Sequence, residues 1–145
     1  MCNPEKKFNF LLEGDNLHSL YLLEKTHKEK IDIIYIDPPY NTGNNDFTYG
    51  DETLSKEDEY KHSKWLSFME RRLNIAKQLL SEKGILAISI DDHEQSQLKM
   101  LCDDIFDELN FISCIPRRTK SSGKTTNNIS LNHDYLLLYE KKHNA

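Results

Sequence analysis

The chain is poor in glycine. Gly14, Gly43, Gly50, Gly84 and Gly123 are its only five, and no two are spaced Gly-x-Gly. Paired glycines let a backbone close on a ligand with no Cβ in the way, so no glycine-rich cradle can be read here. Cysteine is scarce too. Cys2, Cys102 and Cys114 are odd in number and lack paired metal-ligand spacing. They read as reduced thiols of a cytoplasmic protein, with Cys102 and Cys114 on apolar patterns. The six histidines are scattered, and no metal is assigned. No apolar run is long enough to span a membrane, and no basic-apolar secretory start is present. Positive charge is also short. The net charge of −5 argues against a self-sufficient grip on a polyanion, which needs a basic face. The local exception is Arg117, Arg118, Lys120 and Lys124 within one polar stretch.

What is present suits one domain. The 145 residues are 37% hydrophobic and 30% charged, which is polar but outside the disordered range. Strand and helix patterns alternate. Phe8–Leu12 reads as a short strand ending at Gly14-Asp15. Asn16 starts a helix with Leu17, Leu20 and Leu23 inward. Ile31–Ile36 is a β-branched run that reads as a buried central strand. Residues 41–63 are polar and without period, as functional or mobile segments are. Trp65, Met69, Leu73, Ala76 and Leu80 repeat at helical spacing, and Lys83-Gly84 reads as that helix's end. Ile85–Ile90 is a strand. Asp92 and Gln95 resemble a capping box ahead of a helix carrying Leu98, Leu101, Cys102, Ile105, Phe106 and Leu109. Phe111–Ile115 and Tyr135–Tyr139 are the last strands, joined by a polar loop over 116–133. The pattern predicts a doubly wound α/β sheet. Asp15, Asp37 and Asp91 would each close a strand and share one sheet edge, although an acid there also caps helices.

The most informative residues are Asp37-Pro38-Pro39-Tyr40. Two prolines stop the strand, since neither has an N–H for a ladder. They leave an acid, two rigid carbonyls and an aromatic ring at a carboxyl edge, where open α/β sheets bind ligands. That set suits attack by an exocyclic amine. The amino nitrogen of adenine is a poor nucleophile because its lone pair is delocalised. Two acceptors, Asp37 and the Pro38 carbonyl, would each hold one N–H and free that lone pair. Tyr40 offers a face on which an extruded base can stack. The bland reading is a Pro-Pro turn beside a core-edge tyrosine.

Asp37-Pro38-Pro39-Tyr40-Asn41-Thr42-Gly43 resembles the catalytic motif of amino-group DNA methyltransferases. The extended form is similar to adenine-N6 enzymes of restriction–modification systems, especially type III modification subunits. Gly14-Asp15-Asn16, Trp65–Met69 with Arg72-Leu73, Gly84–Asp92 and His133–Tyr139 follow in the family's order. The resemblance implies a Rossmann-like S-adenosylmethionine-dependent fold, mostly parallel with a C-terminal antiparallel strand pair. It implies a methyl transfer to adenine N6 in duplex DNA through Asp37, Pro38, Pro39 and Tyr40. S-adenosyl-L-methionine would meet Asp15, Asp37, Pro38 and Trp65, with Trp65 read first as core. Substrate would meet Tyr40, Asn41, Arg117, Arg118 and Lys120. Relatives of this kind also carry a Phe-x-Gly-x-Gly loop, which in the permuted class lies after a target-recognition domain. Residues 1–145 therefore read as a single, incomplete catalytic portion, with a C-terminal half or partner subunit elsewhere. Two other readings stay open: a non-catalytic remnant or split-subunit module, and an amino-methyltransferase acting on RNA or protein.

Overall fold

The computed structural model describes residues 9–49, 52–55, 59–119 and 132–142. Its centre is a four-stranded sheet in the order β1-β4-β6-β5, from β1 (Ile31–Ile36), β4 (Leu80–Ile90), β5 (Phe111–Arg118) and β6 (His133–Glu140). β1 and β4 run parallel, while β4–β6 and β6–β5 are antiparallel. The Rossmann-like expectation and its antiparallel C-terminal pair are met, but among the described residues the sheet is mixed, with one parallel and two antiparallel pairs, where a mostly parallel, doubly wound one was expected.

One face of that sheet carries the core. Leu86, Ile88 and Ile90 of β4 and Leu137 and Tyr139 of β6 point to the same side, as the period of two dictates. Against them lie Trp65, Met69 and Leu73 of α2 (Lys61–Leu79) and Leu98, Cys102 and Phe106 of α3 (Gln95–Phe106), all fully or almost fully buried. The three- and four-residue spacing read from the sequence put these side chains on single helix faces. Burial of each large apolar side chain contributes about 1.5–3 kcal/mol, so this layer dominates stability. The opposite sheet face is open among the described residues. Ile33 and Tyr35 are 68% and 57% exposed, and Ile85 and Ile115 are also exposed. Among the described residues β1 is therefore an edge strand with one covered face, where its apolar run suggests a buried central one.

Several sequence expectations shift. Residues 9–13 form no strand; Phe10 and Leu11 are exposed, and β4 is β1's one ladder partner among the described residues. Asp15 closes no strand but caps α1 (Asn16–His27), accepting from Leu17 N and His18 N at 2.9 and 3.2 Å. α1 lies against α2 and has no fully buried residue. Inside the segment read as irregular, β2 (Asn44–Tyr49) and β3 (Glu52–Ser55) pair antiparallel. Leu109 falls outside α3, because Asp107 turns the chain at φ +80. The capping box is not formed: Asp92 Oδ1 accepts from Tyr135 Oη instead.

Lys83-Gly84 does not end α2. The helix stops at Leu79, and β4 has already begun. β4 advances from Leu80 to Ile85 while β1 advances only from Ile31 to Ile33, a bulge-like irregularity. Gly84 sits at this crowding. A Cβ there would lie 2.9 Å from the Ile31 carbonyl oxygen and from Leu80 Cδ2, and 3.0 Å from the Ser81 carbonyl oxygen. Backbone oxygens cannot step aside. Gly84→Ala should therefore destabilise the domain by about 1–3 kcal/mol. Urea unfolding checks this through a lowered midpoint at constant slope; an unchanged midpoint would contradict it.

Candidate active site

β1 delivers Asp37-Pro38-Pro39-Tyr40 at its carboxyl end, beside the end of β4. The parallel register Ile36↔Ile88 fixes the two strands side by side, so Asp37 and Asp91 lie toward the same sheet edge. Asp37 is exposed and Pro38 is buried. The Tyr40 hydroxyl donates to Asp37 Oδ1 at 3.1 Å. Burial and then the Asp37 charge push the Tyr40 phenol up to about 12, so it stays a neutral donor at ordinary pH.

The motif is held from the core side. Trp65 is fully buried, and its indole N–H donates to the Pro39 carbonyl oxygen at 2.7 Å. With its one polar atom engaged there, Trp65 supports the motif from behind, and the cofactor contact expected of it gives way to this role. Of the two proline carbonyls, Pro39's is committed inward, and no hydrogen bond to Pro38's is seen among the described residues. Asn41, expected toward substrate, is also buried. Its amide turns inward to the Lys61 carbonyl oxygen and Glu94 Oε1.

Beside Tyr40 lies an open cavity of about 260 Å³, lined also by Asp91, Asp92, His93, Thr119, His133 and Asp134. This is below the roughly 300–1,000 Å³ of drug-sized ligand sites. Its walls are internally bonded. His93 Nδ1 lies 2.9 Å from Asp91 Oδ2, and Tyr135 Oη donates to Asp92 Oδ1 at 2.8 Å. Asp15 is not among the lining residues; backbone N–H donors hold its carboxyl below the usual range.

Arg117 is not presented outward as a phosphate contact. Its Nε donates to Asp134 Oδ1 at 2.9 Å, and one terminal nitrogen donates to Asp134 Oδ2 at 2.8 Å and Ser89 Oγ at 3.0 Å. Ser89 Oγ in turn lies 2.6 Å from Tyr35 Oη. A fork of this kind is satisfied in a way a lysine could not match. Arg118 is exposed at the end of β5, and Lys120 and Lys124 lie outside the described residues. No group of His, Cys, Asp and Glu able to hold a metal occurs among the described residues. Sequence reading missed Ser89, Glu94 and Asp134. Only Asp134 carried a signal, as an acid at the start of an apolar strand.

Comparison with known proteins bears on the family and the fold. The DNA methylase family model matches residues 31–145. The chain is 47% identical over 115 residues to the "Probable type III restriction-modification enzyme HindVI Mod subunit" of Haemophilus influenzae, covering 79% of this chain and 14% of that one. It is 38% identical to the type III restriction-modification enzyme EcoPI Mod subunit of Escherichia phage P1, covering 92% and 24%. The chain thus spans about a quarter or less of these relatives' length. Among solved structures, the M1.HpyAVI–SAM complex superposes with a TM-score of 0.58 at 15% identity, over 90% of this chain and 54% of that one. That likeness concerns the fold.

The Arg117 geometry makes a prediction. Arg117→Ala leaves Asp134, which is 7% exposed, without its partner. Because the guanidinium is itself 40% exposed, the loss should be on the order of 1–2 kcal/mol of stability. Chemical denaturation measures it. A phosphate-contact role would instead lower the salt slope of DNA binding by about one and leave the midpoint unchanged.

Proposed function

We propose, from the premise that this chain belongs to the DNA methylase family, that it is the amine-activating portion of a restriction–modification methyltransferase that methylates adenine N6 in DNA. The observation that carries the reading is the exposed Asp37 carboxylate at a sheet edge, bonded to Tyr40 and braced through Pro39 by Trp65. In this reading Asp37 and the Pro38 carbonyl are the two acceptors for the reacting N–H groups. Holding both hydrogens draws the nitrogen lone pair out of the ring system and aims it outward. As the N–methyl bond forms, the bond from that methyl to the donor's sulfonium sulfur would break and leave a neutral thioether. The nitrogen becomes cationic, and the adjacent Asp37 charge stabilises it until its proton passes to solvent and the amine is restored. Tyr40 is the stacking face for the extruded base, whose removal from the duplex costs a few kcal/mol.

S-adenosyl-L-methionine, the family's methyl donor, supplies a methyl group on a positively charged sulfur. The described residues fit it on one side only. The exposed Asp37 carboxylate offers an anionic edge beside the buried Pro38, whereas the Asp15 carboxylate caps α1 and Trp65 is inside the core. The remaining walls, and the main DNA-binding surface, are assigned to a further segment or partner subunit. The net charge of −5 favours that division, since DNA affinity rests largely on phosphate contacts. Arg118 and Lys120 are proposed phosphate contacts from this chain. No helix among the described residues is long and apolar enough to cross a membrane; with Cys102 and Cys114 as free thiols, a cytoplasmic place fits the reading.

The test is Asp37. In a methylation-competent assembly, Asp37→Ala should slow single-turnover methyl transfer on the order of a hundredfold or more. Asp37→Asn keeps one acceptor oxygen and loses less. A near-normal rate in the alanine variant would remove Asp37 from the mechanism.

A further inference from the structure

The loop just past Asp-Pro-Pro-Tyr ends in a buried polar cluster that methyl transfer does not itself require. Glu94 stands immediately before α3 and is 0% exposed. That is a helix-capping position, yet its side chain makes no capping bond. Instead, Glu94 Oε1 accepts from Asn41 Nδ2 at 2.5 Å and lies 2.7 Å from His62 Nδ1, in the first turn of α2. Asn41 is 1% exposed and also donates to the Lys61 carbonyl oxygen at 3.3 Å. Its backbone is left-handed, at φ +57, which asparagine tolerates better than most residues.

A left-handed asparagine in a turn needs no buried acid behind it. Burial pushes the Glu94 carboxyl above its usual range, while the Asn41 bond and the His62 charge pull it back. Two further acceptors, Glu94 Oε2 and Asn41 Oδ1, are buried with no partner among the described residues. Buried acceptors without partners each cost about 1–3 kcal/mol, and such costs concentrate where the arrangement serves function.

We infer that Glu94 is a positioning residue for the Asp37–Tyr40 edge, acting through Asn41. The inference rests on the amino-methyltransferase reading. Glu94 ties the loop to the starts of both helices: to α2 through His62, and to α3 through its own carbonyl, which accepts from Leu98 N at 2.8 Å. Tyr40 then sits between two anchored neighbours, Pro39 held by Trp65 and Asn41 held by Glu94. The phenol of Tyr40 in turn bonds Asp37. Release of one anchor lets that acceptor drift, and a displacement of about 1 Å can cost on the order of a hundredfold in rate.

Trp65 is the one tryptophan of these 145 residues, so with this chain alone isotope-labelled its indole N–H gives a single nuclear magnetic resonance signal that reports on Pro39. The variants are Glu94→Ala, Glu94→Gln, Asn41→Gly, and Glu94→Ala combined with Asn41→Gly. Glycine keeps the left-handed backbone but removes the amide, so it separates a turn from a clamp. Glu94→Ala and Asn41→Gly should each shift the indole signal and slow single-turnover transfer by about 10- to 100-fold. Affinities for DNA and S-adenosylmethionine should stay within about twofold. The double variant should be no slower than either single one, as coupled residues are. Glu94→Gln still offers Asn41 an acceptor and should keep the signal and most of the rate. An unshifted signal with a normal rate in Asn41→Gly overturns the inference, and so do additive losses in the double variant. If Glu94→Ala does not fold, Asn41→Gly and Glu94→Gln decide between these results. If the parent assembly transfers no methyl group, the functional reading fails while the indole signal still decides the clamp.

Discussion

The hydrogen bond from Trp65 to Pro39 joins the two halves of this structure. On one side is a conventional apolar layer, in which α2 and α3 cover a sheet. On the other is a short polar edge with the Asp37 side chain exposed. An open edge cannot be ordered by burial of its own side chains. Here the core reaches out to it with a donor that would itself be costly to bury unbonded. The indole satisfies that need with a carbonyl that Pro39 holds almost rigid. Packing energy gathered around Trp65 is thereby spent on fixing the position of Asp37 and Tyr40.

The sheet beneath the edge is built for the same end. Parallel pairing of β1 with β4 places both strand ends together, and Gly84 allows the irregular start of that pairing. On the open sheet face, Tyr35, Ser89, Arg117 and Asp134 form a bonded chain across three neighbouring strands and one next to them. Arg117 thus stiffens the floor of the site. In the cavity beside Tyr40, His93 is bonded to Asp91, while Tyr40, Asp92 and Asp134 are held from outside by Asp37, Tyr135 and Arg117.

Much of this was legible in the sequence, and the failures have physical causes. α2 and α3 were read correctly because their apolar spacing reports a covered face directly. Asp37 through Tyr40 announced themselves through two prolines that can only end a strand. β1 was read as central because Ile33 and Tyr35 are apolar, yet both are exposed; a hydrophobic run records a preference for cover and cannot say what provides it. Lys83-Gly84 looked like a helix end because glycine serves both there and where strands crowd. Phe47-Thr48-Tyr49 and Gly50-Asp51 carried a hairpin signal that the polar residues around them diluted. The pairings of Arg117 with Asp134 and of Asn41 with Glu94 join residues far apart in sequence, and no local pattern encodes them. Basic residues in a polar stretch read as outward for the same reason.

Under the proposed function this chain would be one side of a catalytic centre, supplying the acceptors for the reacting amine. The most direct measurement is transfer of tritiated methyl from S-adenosylmethionine to mixed-sequence DNA, followed by identification of the labelled nucleoside. It is run with the chain alone and with the downstream portion of a full-length relative supplied in trans. The account predicts no label above background for the chain alone, and label in N6-methyladenine once the second portion is present. Robust transfer by the chain alone, or label in N4-methylcytosine, would contradict it.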